Sequence, residues 1–70
     1  MGFNKRYISI SHILTWYNKE GLTEVKNNIN EADAIICIDD ESRDIVDMCE
    51  NSLGDEDIKN KIEEYVYKWA

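Results

Sequence analysis

The side chains with the most chemical potential in this chain are carboxylates. Asp39, Asp40, Glu41, Asp44, Asp47 and Glu50 crowd into one stretch in which Arg43 is the only basic residue. On a helix, Asp40, Asp44 and Asp47 share one face, so that carboxylates recur about every 5–6 Å. Two chemistries use such a set. Hard oxygen ligands can hold a divalent cation, and a single-sign surface can capture a basic partner and speed its association.

The metal reading rests on Asp39 and Asp40 at the end of an apolar run, with Asp44 one turn into the following helix. Open α/β folds place magnesium or nucleotide sites there. No EF-hand glycine spacing supports it, and the only glycines, Gly2, Gly21 and Gly54, are too dispersed to form a phosphate-binding loop. The capture reading needs only charge density. Duplex DNA carries one charge per about 1.7 Å of axis, and six carboxylates over three helical turns approach that density, so mimicry of nucleic-acid phosphates is one concrete form of it.

Nucleophilic catalysis finds little support. His12 is the only histidine. Cys37 lies inside an apolar run and Cys49 on the apolar side of a helix, so both read as small buried hydrophobes with raised thiol pKa values. One histidine and two separated cysteines also lack the paired spacing of a zinc site. No catalytic residue, metal or cofactor is therefore assigned. Among the aromatics, Tyr7, Tyr17, Tyr65 and Trp69 are expected in the core, Trp16 at its border, and Tyr67 pointing outward as a contact for a partner.

Charge places the carboxylates in a wider context. The 70-residue chain has a formal net charge of −7, from 15 Asp and Glu against 8 Lys and Arg. The excess is local: residues 31–57 hold eleven acids and only Arg43, whereas residues 1–30 hold four basic and two acidic residues. Direct nucleic-acid binding is disfavoured, because phosphate contacts supply most of its affinity. Lys5, Arg6, Lys19 and Lys26 give the first thirty residues a slight positive bias, and two helices meeting at Gly21 superficially suggest a helix-turn-helix. The second of these helices would offer the groove Glu24 beside Lys26. No apolar run approaches the roughly 18 residues of a membrane span. The opening MGFNKRYISISHILT lacks the form of a signal peptide, and Arg6 stands where a myristoylation signal needs Ser or Thr. Two cysteines do not make the disulfide framework of a small secreted domain, so a cytoplasmic protein with reduced thiols is expected.

The elements that must position these groups follow from hydrophobic spacing. Residues 5–10 suit a short strand, with Ile8 and Ile10 alternating against Tyr7 and Ser9. Ser9 or Ser11 then caps a helix running to Glu20 that buries Ile13, Leu14 and Tyr17 and ends at a left-handed Gly21. Thr23 caps a second helix carrying Leu22, Val25, Ile29 and Ala32, weakened by Asn27, Asn28 and Asn30. Residues 34–38, an apolar run rich in β-branched side chains, read as a strand buried on both faces. Its partner is the first strand, joined by a helical crossover and therefore parallel, or the same strand of another copy. Ile45, Val46, Cys49 and Leu53 define the buried side of a third helix, opposite Asp40, Asp44, Asp47 and Glu50. Asp55 caps a fourth, whose stripe is Ile58, Ile62, Tyr65, Val66 and Trp69. The expected fold is one acidic α+β domain over residues 1–70, ordered β-α-α-β-α-α, with four short helices on a two-stranded sheet.

This pattern points to a non-enzymatic interaction module whose partner is a protein with a basic surface, contacted through Asp39, Asp40, Glu41, Asp44, Asp47 and Glu50, with Tyr67 adding short-range affinity. In general size and composition alone the chain resembles the small inhibitors and host-modulating proteins encoded by phages. Inhibition of a nucleic-acid-handling protein, by occupation of its cationic groove, is the concrete form that the carboxylate surface leads one to expect. The alternatives are a homodimer or other homo-oligomer built by pairing strands or helices between copies, and a small metal- or nucleotide-binding module using Asp39 and Asp40.

Overall fold

The computed structural model describes residues 5–69, with side chains as far as residue 68. The elements are β1 (Lys5–Ile8), α1 (Ile10–Glu20), α2 (Leu22–Glu31), β2 (Ala34–Cys37), α3 (Asp40–Glu50) and α4 (Asp55–Trp69). This is the expected α+β order, and β1 and β2 pair in parallel with Lys5 opposite Ala34 and Ile8 opposite Cys37. The ladder continues one bond further, as the Ile38 N–H donates to the Ile8 carbonyl at 2.9 Å. A parallel pair cannot be joined by a tight turn, and the α1–α2 hairpin supplies the crossover it requires.

Periodicity translates directly into burial. Ile8, Ile10, Ile13, Val25, Ile29, Ile45, Val46, Ile58, Ile62 and Tyr65 form one core to which β1 and all four helices contribute. Nine of the ten are β-branched, so the core is made of side chains that lose little rotameric freedom on packing. Each fully buried isoleucine contributes about 1.5–3 kcal/mol, against a total stability of about 4–10 kcal/mol for a domain of this size. The side chain of Trp69, the last member of the predicted stripe, lies outside the described residues. No helix among the described residues is long and apolar enough to cross a membrane.

Local chemistry sets the boundaries. Ser9 caps α1 in a reciprocal box: its hydroxyl accepts the His12 N–H at 3.3 Å, and its own N–H donates to His12 Nδ1 at 3.1 Å. Histidine here does the work usually done by Glu or Gln. Gly21 separates α1 from α2 with φ 77° and ψ −159°. Its φ is positive as expected, but ψ lies far from the left-handed helical region, in a zone open essentially to glycine alone. At the end of α3, Ser52 takes the left-handed position with φ 59°, while its N–H donates to Cys49 O and the Leu53 N–H to Met48 O. These two bonds make a Schellman closure with serine where glycine is usual.

Several expectations are corrected. The first strand stops at Ile8 rather than Ile10, because Ser9 and Ile10 are taken into the start of α1. Thr23 caps nothing: α2 begins at Leu22 directly after Gly21 and has no side-chain cap. Asp55 is the first residue of α4, paired with Lys26 rather than serving as a cap. The second strand is not buried on both faces. Ile36 is 39% and Ile38 61% exposed, and Tyr7, expected in the core, is 58% exposed. Tyr7 and Ile36 are register partners, so they stand on the same side of a sheet whose helices cover only the other. Leu53 is 45% exposed because it belongs to the α3 closure and not to the helix. Cys37 and Cys49 are half-buried, not sealed in.

Candidate functional site

The acidic stretch divides into groups with different environments. Asp39 precedes α3 with extended backbone and caps it, its Oδ1 accepting the Ser42 N–H at 2.9 Å. Both carboxylate oxygens also accept the Ile10 N–H, each at 3.1 Å, so one side chain serves the beginnings of α1 and α3 together. Two helix N-termini concentrate positive potential at this point. Burial acts to raise the Asp39 pKa, but hydrogen bonds from Ser42 and from the Ile10 N–H outweigh it and hold the carboxyl below its ordinary 3.8. Asp39 is therefore a half-buried anion already held by backbone donors, and a metal or nucleotide would have to compete with them for it. Among the described residues, no group of three or more His, Cys, Asp or Glu is arranged to hold a metal ion.

Beneath Asp39 sits Ser42, fully buried, whose hydroxyl lies 3.1 Å from the Ile8 carbonyl and 2.9 Å from the Asp39 carbonyl. It ties the first turn of α3 to the end of β1. Serine inside a charged helix carries no outward sign of burial in sequence.

The remaining carboxylates belong to α3 itself. Asp40, Asp44, Asp47 and Glu50 are all exposed, opposite the buried Ser42, Ile45 and Val46. One flank of this face is clasped by α4: Tyr65 Oη donates to Asp44 Oδ2 at 3.0 Å, and Lys68 Nζ stands 3.8 Å from Glu41 Oε2. Burial first, and then its bond to Asp44, push the Tyr65 phenol up to about 12, so it stays a proton donor throughout the physiological range. Tyr17 behaves alike: burial, then its 2.8 Å bond to Glu63, raise it to about 12. The other flank of α3, with Arg43 and Glu50, faces β2.

Tyr67 is 81% exposed, as expected of an outward residue. It does not join the acidic face, however. Spacing places Tyr67 one turn after Glu63, on the flank of α4 turned toward Tyr17 of α1, whereas Tyr65 and Lys68 reach α3. The structure thus brings together Asp40, Asp44, Asp47 and Glu50, sets Glu41 beside Lys68, withdraws Asp39 into the fold, and leaves Tyr67 apart.

Two grooves border this surface. One, of about 580 Å³, runs between α1 and the start of α3 and is lined by Ile10, Leu14, Thr15, Asn18 and Glu41 among others. It adjoins the carboxyl ends of the parallel strands, where α/β folds bind ligands, but the anion-attracting position is filled by Asp39. The other, of about 330 Å³, lies between β2 and α3. Burial raises the pKa of both Cys37, which lines the second groove, and Cys49, so neither thiol is activated. Comparison with protein-family models, curated proteins and solved structures returns no match.

Proposed function

We propose that this domain is a non-enzymatic interaction module that docks the outer face of α3 on a basic surface of another protein. The observation that carries the reading is the row of exposed carboxylates Asp40, Asp44, Asp47 and Glu50 on one side of one helix. Like charges one turn apart each cost an isolated helix a few tenths of a kcal/mol. Here that cost is borne by the core beneath. A partner with a cationic groove, of the kind that handles nucleic acid, is the form of target that such a row fits best. Asp39 supports the surface from below by fixing the start of α3. Tyr67 belongs to a different side of the domain, so the docking surface is the helix face alone.

The test is capture of partners from a lysate by the native domain and by the variant Asp40→Lys/Asp44→Asn/Asp47→Lys. Asparagine at position 44 keeps an oxygen for Tyr65 and protects the fold. Loss of the captured proteins in the variant, and from the native domain as salt rises, is the expected result. Capture that persists in a variant with native circular dichroism would overturn the proposal.

A further inference from the structure

The second groove has an asymmetry that the acidic face does not explain. Among the described residues the sheet contains only β1 and β2, so β2 keeps one edge without a strand partner. Along that edge, residues 35–37 form one wall of the groove, and Arg43, Val46, Asp47 and Glu50 form the other. These four stand at i, i+3, i+4 and i+7 on α3, a continuous stripe facing the strand. Val46 is buried and makes the floor, while Ile36 is partly open to solvent. The chain reverses at Ile38 and Asp39, so α3 runs back along β2. Arg43 therefore lies toward the carboxyl end of the strand and Glu50 toward its amino end. Arg43 makes the groove cationic at one end, and Asp47 in its middle and Glu50 at its other end make the remainder anionic.

We infer that this groove is a self-association edge, in which β2 of one copy pairs antiparallel with β2 of a second across a two-fold axis. An isologous contact requires a surface complementary to itself, and a groove with opposite charges at its two ends is complementary to its own two-fold image. Arg43 of each copy meets Glu50 of the other. The pairing extends the sheet to four strands, satisfies the open β2 edge, which is otherwise a hazard for uncontrolled pairing, and continues the apolar strip of Tyr7, Ile36 and Ile38 into the second copy. It also sets two α3 helices side by side, with Asp40 and Asp44 of each copy left outside the contact. The groove shares Asp47 and Glu50 with the acidic face, but its test reads self-association and not capture of another protein, so the two readings fail separately.

The test is sedimentation of the native domain, of Arg43→Glu, of Glu50→Arg, and of an equimolar mixture of the two variants, with circular dichroism confirming that each is folded. Native protein is expected to dimerise at micromolar concentrations. Either single variant places like charges at both ends of the contact and weakens self-association by about tenfold or more. The mixture restores it, because a copy that is acidic at both positions then faces a copy that is basic at both, and opposite charges meet at each end. A monomeric native protein, a native dimer that neither substitution weakens, or a mixture of folded variants that stays monomeric would each overturn the inference. Occupation of the groove by a different chain would appear as the first of these.

Discussion

Replacing Asp39 with alanine removes the acceptor for two backbone donors at once, the Ile10 N–H and the Ser42 N–H. Loss of the α3 cap costs about 0.5–2 kcal/mol. Leaving the part-buried Ile10 N–H without its charged acceptor costs a further 1.5–3 kcal/mol or so. The sum, about 2–5 kcal/mol, is a large fraction of the roughly 4–10 kcal/mol available to a domain of this length. Each kcal/mol moves Tm by about 4–8 °C in a domain this small, so Asp39→Ala is expected to melt roughly 8–40 °C below the native protein. Asp39→Asn keeps one oxygen for capping but gives up the charge that faces two helix N-termini, a loss of about 0.3–1 kcal/mol for each. The native advantage over the asparagine variant depends on pH with a definite sign. The folded pKa lies below the ordinary 3.8, so the unfolded chain takes up the proton first. The advantage is complete above 3.8 and disappears as pH falls through the lower folded value. Urea denaturation of the three proteins, followed by circular dichroism at neutral pH and again below 3.8, measures both effects. An alanine variant within a few degrees of native Tm, or a native-to-asparagine gap unchanged by acid, would refute the reasoning.

Two backbone substitutions test the connections. Gly21→Ala meets no atom within 4 Å, so steric crowding is absent and only the conformation at φ +77° is penalised; a loss of about 1–3 kcal/mol is expected in thermal denaturation. Ser52→Gly works in the opposite direction, relieving a left-handed serine and raising stability by about 0.5–1 kcal/mol after the entropic cost of glycine.

The helices were legible because each buries a stripe at the helical period, and spacings such as Ile45, Val46 and Cys49 or Ile58, Ile62 and Tyr65 do not fit strand alternation. The parallel pairing was legible as well, since β2 needed a partner and the chain offered one strand across a helical crossover. Side-chain environment at the sheet was not. An apolar run such as residues 34–38 reads as doubly buried when four helices are available, but these helices all pack on one side, so alternate residues Tyr7, Ile36 and Ile38 face outward. At the candidate site, the outward carboxylates Asp40, Asp44, Asp47 and Glu50 followed from periodicity alone. Asp39 stood beside them in sequence and differs entirely in environment, because the donor that draws it inward comes from the far end of the crossover. Asn28 makes the same point. Read as a helix-weakening residue, it instead accepts from Arg6 of β1 at 3.0 Å while donating to Glu24, a link that no local pattern announces.

The bond from Ile10 to Asp39 spans 29 positions. First turns of helices ordinarily fray one residue at a time, since their leading N–H groups answer to nothing beyond the local chain. At α1 the leading N–H is held by a carboxylate that is in place only while β2 lies against β1 and α3 has begun. Opening at the start of α1 is thereby tied to opening of the sheet, and a motion that would be local in an isolated helix becomes part of one cooperative unit.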